Sequence, residues 1–216
     1  EDAFTSDEMH ETMELCVGCK GCKRECPTGV DMSRMKTEFL YHYNRRHGLS
    51  LRDKLVAYLP RYAPWASKFP WLANLRDAIP GLAKLSEAIA GLSAKRTLPN
   101  WRGDAFDVRT QHAGPTDGTP VVILADTFNT YFEPENLIAA TRVLASAGYR
   151  VEFAKAPKGE RPLCCGRTFL AAGLVDEARA EATRTIEALK PHVEAGTPII
   201  GLEPSCLLTL RDEFSA

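Results

Sequence analysis

The sequence predicts an α + α/β fold in three parts. These are an all-helical N-terminal module over residues 1–48, a helical linker over 49–118, and a C-terminal three-layer α/β domain with a small parallel sheet over 119–216. Helical spacing of apolar residues surrounds a cysteine-rich loop in the first part, and prolines interrupt short basic helical segments in the second. In the third part, apolar runs alternate with helical patterns, which is typical of a parallel sheet with right-handed crossovers.

Four cysteines within eleven residues carry the chemistry of the N-terminal module: Cys16, Cys19, Cys22 and Cys26. Their spacing, C-x2-C-x2-C-x3-C-P, matches the pattern with which bacterial ferredoxins bind a cubane iron–sulfur cluster. Two-residue spacers point successive thiolates toward one cluster, and Gly18 and Gly21 permit the backbone turns that this requires. Lys20, Lys23 and Arg24 would raise the reduction potential of a nearby cluster, or else they are solvated loop charges.

The ligand set of this loop has alternatives. Zinc usually takes two C-x2-C pairs separated by a longer spacer, so the dense run closed by Pro27 favours iron and sulfide. In two-cluster ferredoxins the cysteine before proline binds the other cluster. Either Cys26 completes one local 4Fe-4S cluster, or further ligands lie in sequence beyond this chain. The chain begins without Met, and we interpret it as a fragment of a longer protein.

Helical patterns flank the cysteine loop and describe a helical ferredoxin-like module rather than a β-rich small ferredoxin. Thr5 and Glu8 have capping-box spacing and predict a short helix before the loop. Asp31 is the expected N-cap of a longer helix that ends at Gly48. The residues at helical spacing in this second helix are Met32, Met35, Phe39 and Tyr43. We expect the first three of them to be core residues on the cluster side.

Residues 49–118 form the predicted proline-punctuated linker, which is basic. Residues 45–102 hold eleven Lys or Arg against three acids, a local net charge of +8. The segment Leu72–Leu85 is amphipathic, and Trp65 and Trp71 precede it. One interpretation is a surface that binds a membrane or a partner protein. We prefer the simpler one, a solvated helical linker that packs its apolar face on the rest of the protein, because periodicity alone names no partner.

The C-terminal part reads as strand, helix, strand, helix, strand, helix. The predicted strands are 121–125, 149–154 and 198–202. The predicted helices are 134–148, 168–190 with an interruption at Gly173, and 207–214. The continuous apolar run in the first strand is typical of a parallel strand buried on both faces.

A second cysteine group follows two of these strands. Cys164 and Cys165 stand in P-L-C-C-G-R after the second strand, and Cys206 stands in E-P-S-C after the third. Loops at the carboxyl ends of parallel strands share one crevice, so we expect the three thiols to meet there, beside Asp126 and Asn129. Each cysteine precedes a predicted helix, whose dipole favours thiolate. Ordinary burial of small hydrophobic side chains is the alternative, and it fits adjacent cysteines poorly. A cofactor or redox role is therefore predicted, as an iron–sulfur cluster or as a dithiol.

Composition excludes several classes of protein. The formal net charge is −1, which argues against nucleic-acid binding, and no apolar run approaches transmembrane length. Seven clustered cysteines indicate metal or redox chemistry in a reducing compartment rather than a secreted disulfide framework. We therefore expect a cytoplasmic protein, with the inner face of the membrane as a further option.

Three sequence strings resemble a known family. They are C-K-G-C-K-R-E-C-P-T-G-V-D-M, L-C-C-G-R-T-F-L-A-A-G-L-V-D-E-A-R and G-L-E-P-S-C-L-L-T-L-R-D-E. They resemble the iron–sulfur region of bacterial FAD-linked oxidases of the D-lactate and D-2-hydroxyglutarate dehydrogenase type. The chain is also similar to the iron–sulfur portions of glycolate oxidase and anaerobic glycerol-3-phosphate dehydrogenase, and to the cysteine-rich subunit of heterodisulfide reductase.

The resemblance implies that substrate oxidation and electron transfer take place in different parts of the protein. A flavin-binding domain, in the same or a partner chain, would oxidise a D-2-hydroxy acid and pass electrons through these clusters to a quinone or another carrier. The four cysteines of residues 16–26 match the ferredoxin-type ligands, and Cys164, Cys165 and Cys206 match a cysteine-rich CCG repeat. The family pattern has another cysteine motif upstream and a second CCG repeat downstream, and this sequence contains neither. It also lacks a dinucleotide fingerprint, so FAD is expected only outside this chain. This chain alone should not oxidise substrate.

Three functions therefore compete. The first is an iron–sulfur electron-transfer segment of a flavin-dependent D-2-hydroxyacid dehydrogenase. The second is a zinc-binding structural or docking module, and the third is a thiol–disulfide domain of the heterodisulfide reductase type. A hydrolase is least favoured, because the histidines are scattered and carboxylates at strand ends, such as Asp126 and Glu203, are usually turn or cap residues.

Overall fold

The computed structural model describes residues 5–215, with side chains through Phe214. This part of the chain is mostly helical, with a small three-stranded parallel sheet in its C-terminal half, as predicted. The strands are β1 (Thr119–Leu124), β2 (Tyr149–Phe153) and β3 (Ile199–Gly201). The helices are α1 (Asp7–Glu14), α2 (Gly21–Glu25), α3 (Met32–His47), α4 (Leu51–Ala57), α5 (Leu59–Ala66), α6 (Pro70–Ala73), α7 (Leu75–Ala78), α8 (Leu82–Ala90), α9 (Thr127–Tyr131), α10 (Pro134–Ser146), α11 (Arg167–Ala171), α12 (Val175–Glu194) and α13 (Pro204–Arg211).

The sheet is built around β1, in the order β2-β1-β3, and both pairings are parallel. Successive side chains of a strand point to opposite faces, so the apolar run of β1 supplies two cores. Val121 and Ile123 pack in one core with Leu137 of α10, and Val122 and Leu124 pack in the other with Leu189 of α12. The sheet therefore lies between two helical layers, which explains why β1 needs apolar residues without interruption.

The helices around the cysteine loop follow the prediction with two corrections. The N-cap of α1 is Ser6, whose Oγ accepts a hydrogen bond from the Met9 N–H, so the expected capping box at Thr5 is wrong by one residue. Asp31 does cap α3, because its Oδ1 accepts from the N–H groups of Ser33 and Arg34. The apolar face of α3 is narrower than expected: Phe39 is fully buried, but Met35 is 50% exposed.

The segment predicted as a linker packs on the C-terminal half through α4 and α5. Ala57, at the end of α4, is fully buried against Phe169 of α11, and the Thr168 hydroxyl donates to the Ala57 carbonyl over 2.9 Å. Helix α3 contacts the end of α11, since the Asn44 side-chain amide donates to the Ala172 carbonyl over 2.7 Å. The division into three domains stays a prediction, but α11 and the turn that follows it at Ala172 and Gly173 contact elements from all three segments.

Other boundaries differ only in detail. Helix α13 begins at Pro204, three residues before the predicted start, which places Cys206 inside its first turn. The predicted break at Gly173 is confirmed, because it separates α11 from α12 in the left-handed region at φ +71°. No helix within residues 5–215 combines the length and apolar character that a transmembrane span requires.

Gly173 provides a test of the contact between α3 and the turn that follows α11. A Cβ at this position would lie 2.6 Å from the Cβ of Leu40, in addition to the backbone strain of a positive φ. We expect Gly173→Ala to lower the free energy of unfolding by roughly 2–5 kcal/mol, of which about 1–2 is strain and the rest overpacking. Gly196→Ala is the matched control, since Gly196 has φ +68° and no atom within 4 Å of its Cβ position. Urea unfolding measures both variants, and equal losses would contradict the contact.

Candidate functional site

The first cysteine group lies in a loop that turns twice through left-handed backbone. Gly18 has φ +68°, as the turn prediction requires, but the second left-handed residue is Lys20 at φ +58° and not Gly21. Gly21 instead begins the short helix α2, which carries Cys22. The Cys22 Sγ accepts a hydrogen bond from the Met32 N–H over 3.3 Å, which ties the loop to the start of α3.

The four loop thiols are accessible to different degrees. Cys19 is exposed, whereas Cys16, Cys22 and Cys26 are half-buried. The Sγ of Cys26 lies 3.1 Å from the Thr28 hydroxyl. This hydrogen bond, followed by backbone N–H groups of the 28–30 turn, lowers the pKa of Cys26 to about 7, because each stabilises the thiolate.

The second cysteine group is buried, and the structure brings its three members together. Cys164 and Cys165 precede α11, and Cys206 lies in the first turn of α13. The Cys165 thiol interacts with the thiols of both Cys164 and Cys206. The N–H groups of Gly166 and Arg167 each donate to a cysteine sulfur over 3.4 Å. The expected convergence of cysteines from two strand ends is therefore present.

The protonation of this buried group differs from the expectation of thiolates at helix N-termini. The interaction with Cys165, followed by burial, raises the pKa of Cys164 far above its usual range. For Cys165 the interaction with Cys164 lowers the pKa, but the interaction with Cys206 and burial outweigh it and raise the pKa to about 12. Desolvation and thiol–thiol interactions dominate here, because α11 is only five residues long and contributes a weak dipole.

Both groups supply the donor chemistry of an iron–sulfur site, although neither is arranged as a finished one. Among residues 5–215, no group of three or more His, Cys, Asp or Glu side chains is positioned to hold a metal ion. The loop nevertheless offers four sulfur donors within eleven residues, on backbone that already turns at Gly18 and Lys20. Sulfur with backbone N–H donors around it is the donor set that Fe–S clusters use, so the residues present fit such a cluster.

The two cysteine groups are joined by a charged contact that sequence reasoning missed. Arg167, two residues after Cys165, pairs with Glu213. Lys20 pairs with Asp212, and the Nζ of Lys23 lies 2.8 Å from the Asp212 Oδ1. The acids follow α13, so α13 holds Cys206 near its start and the partners of the loop lysines just beyond its end. A groove of about 770 Å³ lies along this contact, with Cys19, Arg167 and Ser205 in its lining.

The pKa values of the charged contact reflect these pairs. Hydrogen bonds from Lys20 and then Lys23 lower the pKa of Asp212 to about 2. The Lys23 pKa is raised by its hydrogen bond to Asp212. Lys20 and Lys23 are thus paired with an acid, although the Lys23 side chain is also 40% exposed to solvent.

The polar residues expected beside the second cysteine group have local structural roles. Asp126 is buried and caps α9 through the N–H groups of Phe128 and Asn129, and its other oxygen accepts from the Asn129 side chain over 2.7 Å. Glu203 caps α13 by accepting from the Ser205 N–H. The expectation that strand-end carboxylates are cap residues is confirmed for both.

The chain is similar to D-2-hydroxyglutarate dehydrogenases. It is 25% identical to the enzyme of Pantoea ananatis (strain AJ13355), over 97% of this chain and 21% of that protein. It is 27% identical to the enzyme of Pseudomonas putida, again over 97% of this chain and 21% of that protein. It is also 25% identical to one subunit of the anaerobic glycerol-3-phosphate dehydrogenase of Escherichia coli (strain K12), over 76% of this chain and 41% of that protein.

These similarities establish a distant relation to oxidoreductases. The chain spans about a fifth of the length of the dehydrogenases that it matches. No protein-family model matches the chain, and no solved structure matches it. The cysteine strings and the comparisons thus lead to the same coarse conclusion: the chain is a distant homologue of one part of a larger enzyme.

The environment of Cys26 gives a pH-dependent prediction for the metal-free protein. A thiol with a pKa of about 7 reacts half-maximally near that pH, and its reactivity falls as pH decreases through it. Thr28→Ala removes the first cause of the shift, so the midpoint should move up toward the ordinary value of about 8.5. Residue-resolved mass spectrometry of iodoacetamide labelling measures this midpoint. Thr37→Ala is the control, because the Thr37 hydroxyl donates to the Ser33 carbonyl instead; an equal shift in both variants would contradict the assignment.

Proposed function

We propose that this chain is an iron–sulfur electron-transfer segment of a flavin-dependent D-2-hydroxyacid dehydrogenase. The observation that carries the proposal is that one charged contact joins the two cysteine groups. Both groups lie in a chain of which 97% aligns with a D-2-hydroxyglutarate dehydrogenase. A single structural metal would need only one such group. Two adjacent groups suit transfer of electrons from one site to the next.

In this proposal the chain's residues bind and shield the cofactor. Cys16, Cys19, Cys22 and Cys26 would hold a 4Fe-4S cluster, which supplies one-electron exchange when bound. Cys164, Cys165 and Cys206 would hold a second cluster, with a further ligand from outside this set. The N–H groups of Met32, Gly166 and Arg167, which point at cysteine sulfurs, would tune these sites through hydrogen bonds to sulfur.

The partners follow from the same proposal. Electrons would enter from a flavin-binding domain, in the same or a partner chain, and leave to a quinone or another redox carrier. FAD and the substrate would bind outside this chain, since a dehydrogenase relative is almost five times as long as the aligned part. The chain alone would not be catalytic on a hydroxy acid.

The competing functions fit the geometry less well. A thiol–disulfide enzyme needs an attacking thiol of low pKa, and Cys164 and Cys165 have raised values with both side chains buried. A zinc docking module would account for the four loop cysteines, but it gives no role to the three further thiols, of which Cys165 interacts with the other two. The iron–sulfur proposal uses both groups.

Metal and sulfide content test the proposal directly. After anaerobic purification and reconstitution, the loop should hold about four irons and four sulfides per chain. Cys19→Ser should abolish this cluster, whereas Cys206→Ser should leave the loop cluster in place, because Cys206 belongs to the other group. Stoichiometric zinc without sulfide would contradict the proposal and favour the docking module.

We also propose that helices α5–α8 rest on an anionic membrane surface. Trp65 and Trp71 are 66% and 67% exposed, although Ala63 on the inner side of α5 is fully buried. The other exposed apolar side chains of the segment are Phe69, Leu72, Ile79, Leu85 and Ile89. The exposed cations of these helices are Lys68 and Lys84, beside the exposed acids Asp77 and Glu87, and two more exposed cations, Lys95 and Arg96, follow α8. Exposed aromatic, apolar and basic side chains within one helical segment are the combination that interfacial helices use.

Vesicle co-sedimentation tests the membrane proposal. The chain should bind phosphatidylglycerol-containing vesicles and not neutral phosphatidylcholine vesicles. Trp65→Ala/Trp71→Ala should weaken binding by about tenfold or more, because each indole buries a large apolar area. Val143→Ser/Val193→Ser removes two exposed side chains from α10 and α12 and is the control. Equal binding to neutral vesicles would contradict the charge argument.

A further inference from the structure

The charged contact between the two cysteine groups consists of three cations and two anions. Lys20 pairs with Asp212 and lies 3.3 Å from the Glu213 Oε1, Lys23 pairs with Asp212, and Arg167 pairs with Glu213. Each acid therefore bridges two cations. Bridged pairs differ from isolated surface ion pairs, which contribute little to stability.

The residues of this charged contact lie near the cysteines of both groups in the sequence. Lys20 directly follows Cys19, Lys23 directly follows Cys22, and Arg167 lies two residues after Cys165. Asp212 and Glu213 directly follow α13, which holds Cys206 in its first turn. Every member therefore lies close in sequence to a proposed cluster ligand, or at the far end of the helix that holds one. The ion pairs connect one cysteine group to the other.

Partial burial strengthens the contact. The Glu213 side chain is only 11% exposed, and those of Lys20 and Arg167 are 20% and 25% exposed. Asp212 and Lys23 are more exposed, at 34% and 40%. Charges that are partly removed from water are screened less by solvent and salt than fully exposed ones. The Arg167 guanidinium also lies 3.5 Å from the Cβ position of Gly18, so the first loop has little room to move toward it.

We propose that Lys20, Lys23, Arg167, Asp212 and Glu213 form an ionic clamp that holds the first cysteine loop in place against the second cysteine group. Its members are positioning residues, since none of them is a proposed ligand. Resting on the proposed function, the clamp fixes the separation of the two clusters, and electron transfer depends steeply on that separation. The clamp itself is a property of the polypeptide and is present before any cluster binds.

Hydrogen–deuterium exchange on the metal-free chain tests the clamp. Asp212→Lys replaces attraction to both loop lysines with repulsion, so amide exchange over residues 16–31 should accelerate by about 3- to 10-fold. Asp212→Asn removes the charge without reversing it and should give a smaller acceleration. This variant replaces Asp212→Lys in the experiment if circular dichroism shows that Asp212→Lys does not fold. Asp104→Lys is the matched control, because Asp104 pairs with Arg102 away from the loop, and it should leave exchange over 16–31 unchanged.

Two further arms separate electrostatics from a general loss of structure. Lys20→Asp/Lys23→Asp/Asp212→Lys restores opposite charges between positions 20, 23 and 212, but it places like charges between position 20 and Glu213 and between position 23 and Asp31. It should therefore recover part of the protection over residues 16–31 that Asp212→Lys loses. Raising the salt concentration to about 0.5 M should accelerate exchange in the wild-type chain but not in Asp212→Lys. Unchanged exchange over 16–31 in both Asp212 variants at low salt would overturn the clamp.

The outcomes also distinguish the clamp from the proposed function. If reconstitution yields no iron or sulfide, the electron-transfer proposal fails, while the exchange results still decide the clamp. If clusters assemble and the exchange is unchanged, the clamp fails alone.

Discussion

The burial of Phe169 is the interaction on which the arrangement of this chain depends. Its side chain is fully buried in the five-residue helix α11, against Ala57 of α4 and Ala178 of α12. Tyr58 meets its ring edge-on with centroids 5.3 Å apart, and the Arg61 guanidinium lies 4.8 Å above it. Full burial of an aromatic side chain contributes about 2–3 kcal/mol, so one residue joins the N-terminal helices to the α/β half.

The same helix explains how packing determines the position of the cysteines. Helix α11 follows the Cys164-Cys165-Gly166 sequence directly, and Gly166 has φ +83° at its N-cap. A Cβ on Gly166 would lie 2.7 Å from the Ala178 carbonyl oxygen, so the backbone there passes against α12 where other residues do not fit. Phe169 anchors α11 in the core, and Gly166 fixes the backbone where α11 begins. Cys164 and Cys165, which directly precede Gly166, therefore have little freedom of position. The buried thiols are then a consequence of the core rather than of a metal.

Local signals in the sequence predicted much of this fold. The strands, the Asp31 cap and the break at Gly173 each depend on neighbouring residues, and all three are confirmed. The convergence of Cys164, Cys165 and Cys206 was also predictable, since parallel strands end at one edge of a sheet. The burial of Met35 was mispredicted because periodicity does not show how wide a face its neighbours cover. The Lys23–Asp212 pair joins residues 189 positions apart, so no local pattern contains it.

The clamp also changes how charges near the first cysteine group should be understood. A lysine beside a cluster raises its reduction potential only to the extent that its charge is not compensated. Asp212 lies against both Lys20 and Lys23, so its charge offsets a large part of theirs at the loop. With the proposed cluster bound, Lys20 and Lys23 would therefore serve mainly to attach the loop and less to raise the reduction potential. Lys20 and Lys23, which lie between the cysteines, therefore do more than space the proposed ligands: their ion pairs with Asp212 attach the loop to the end of α13.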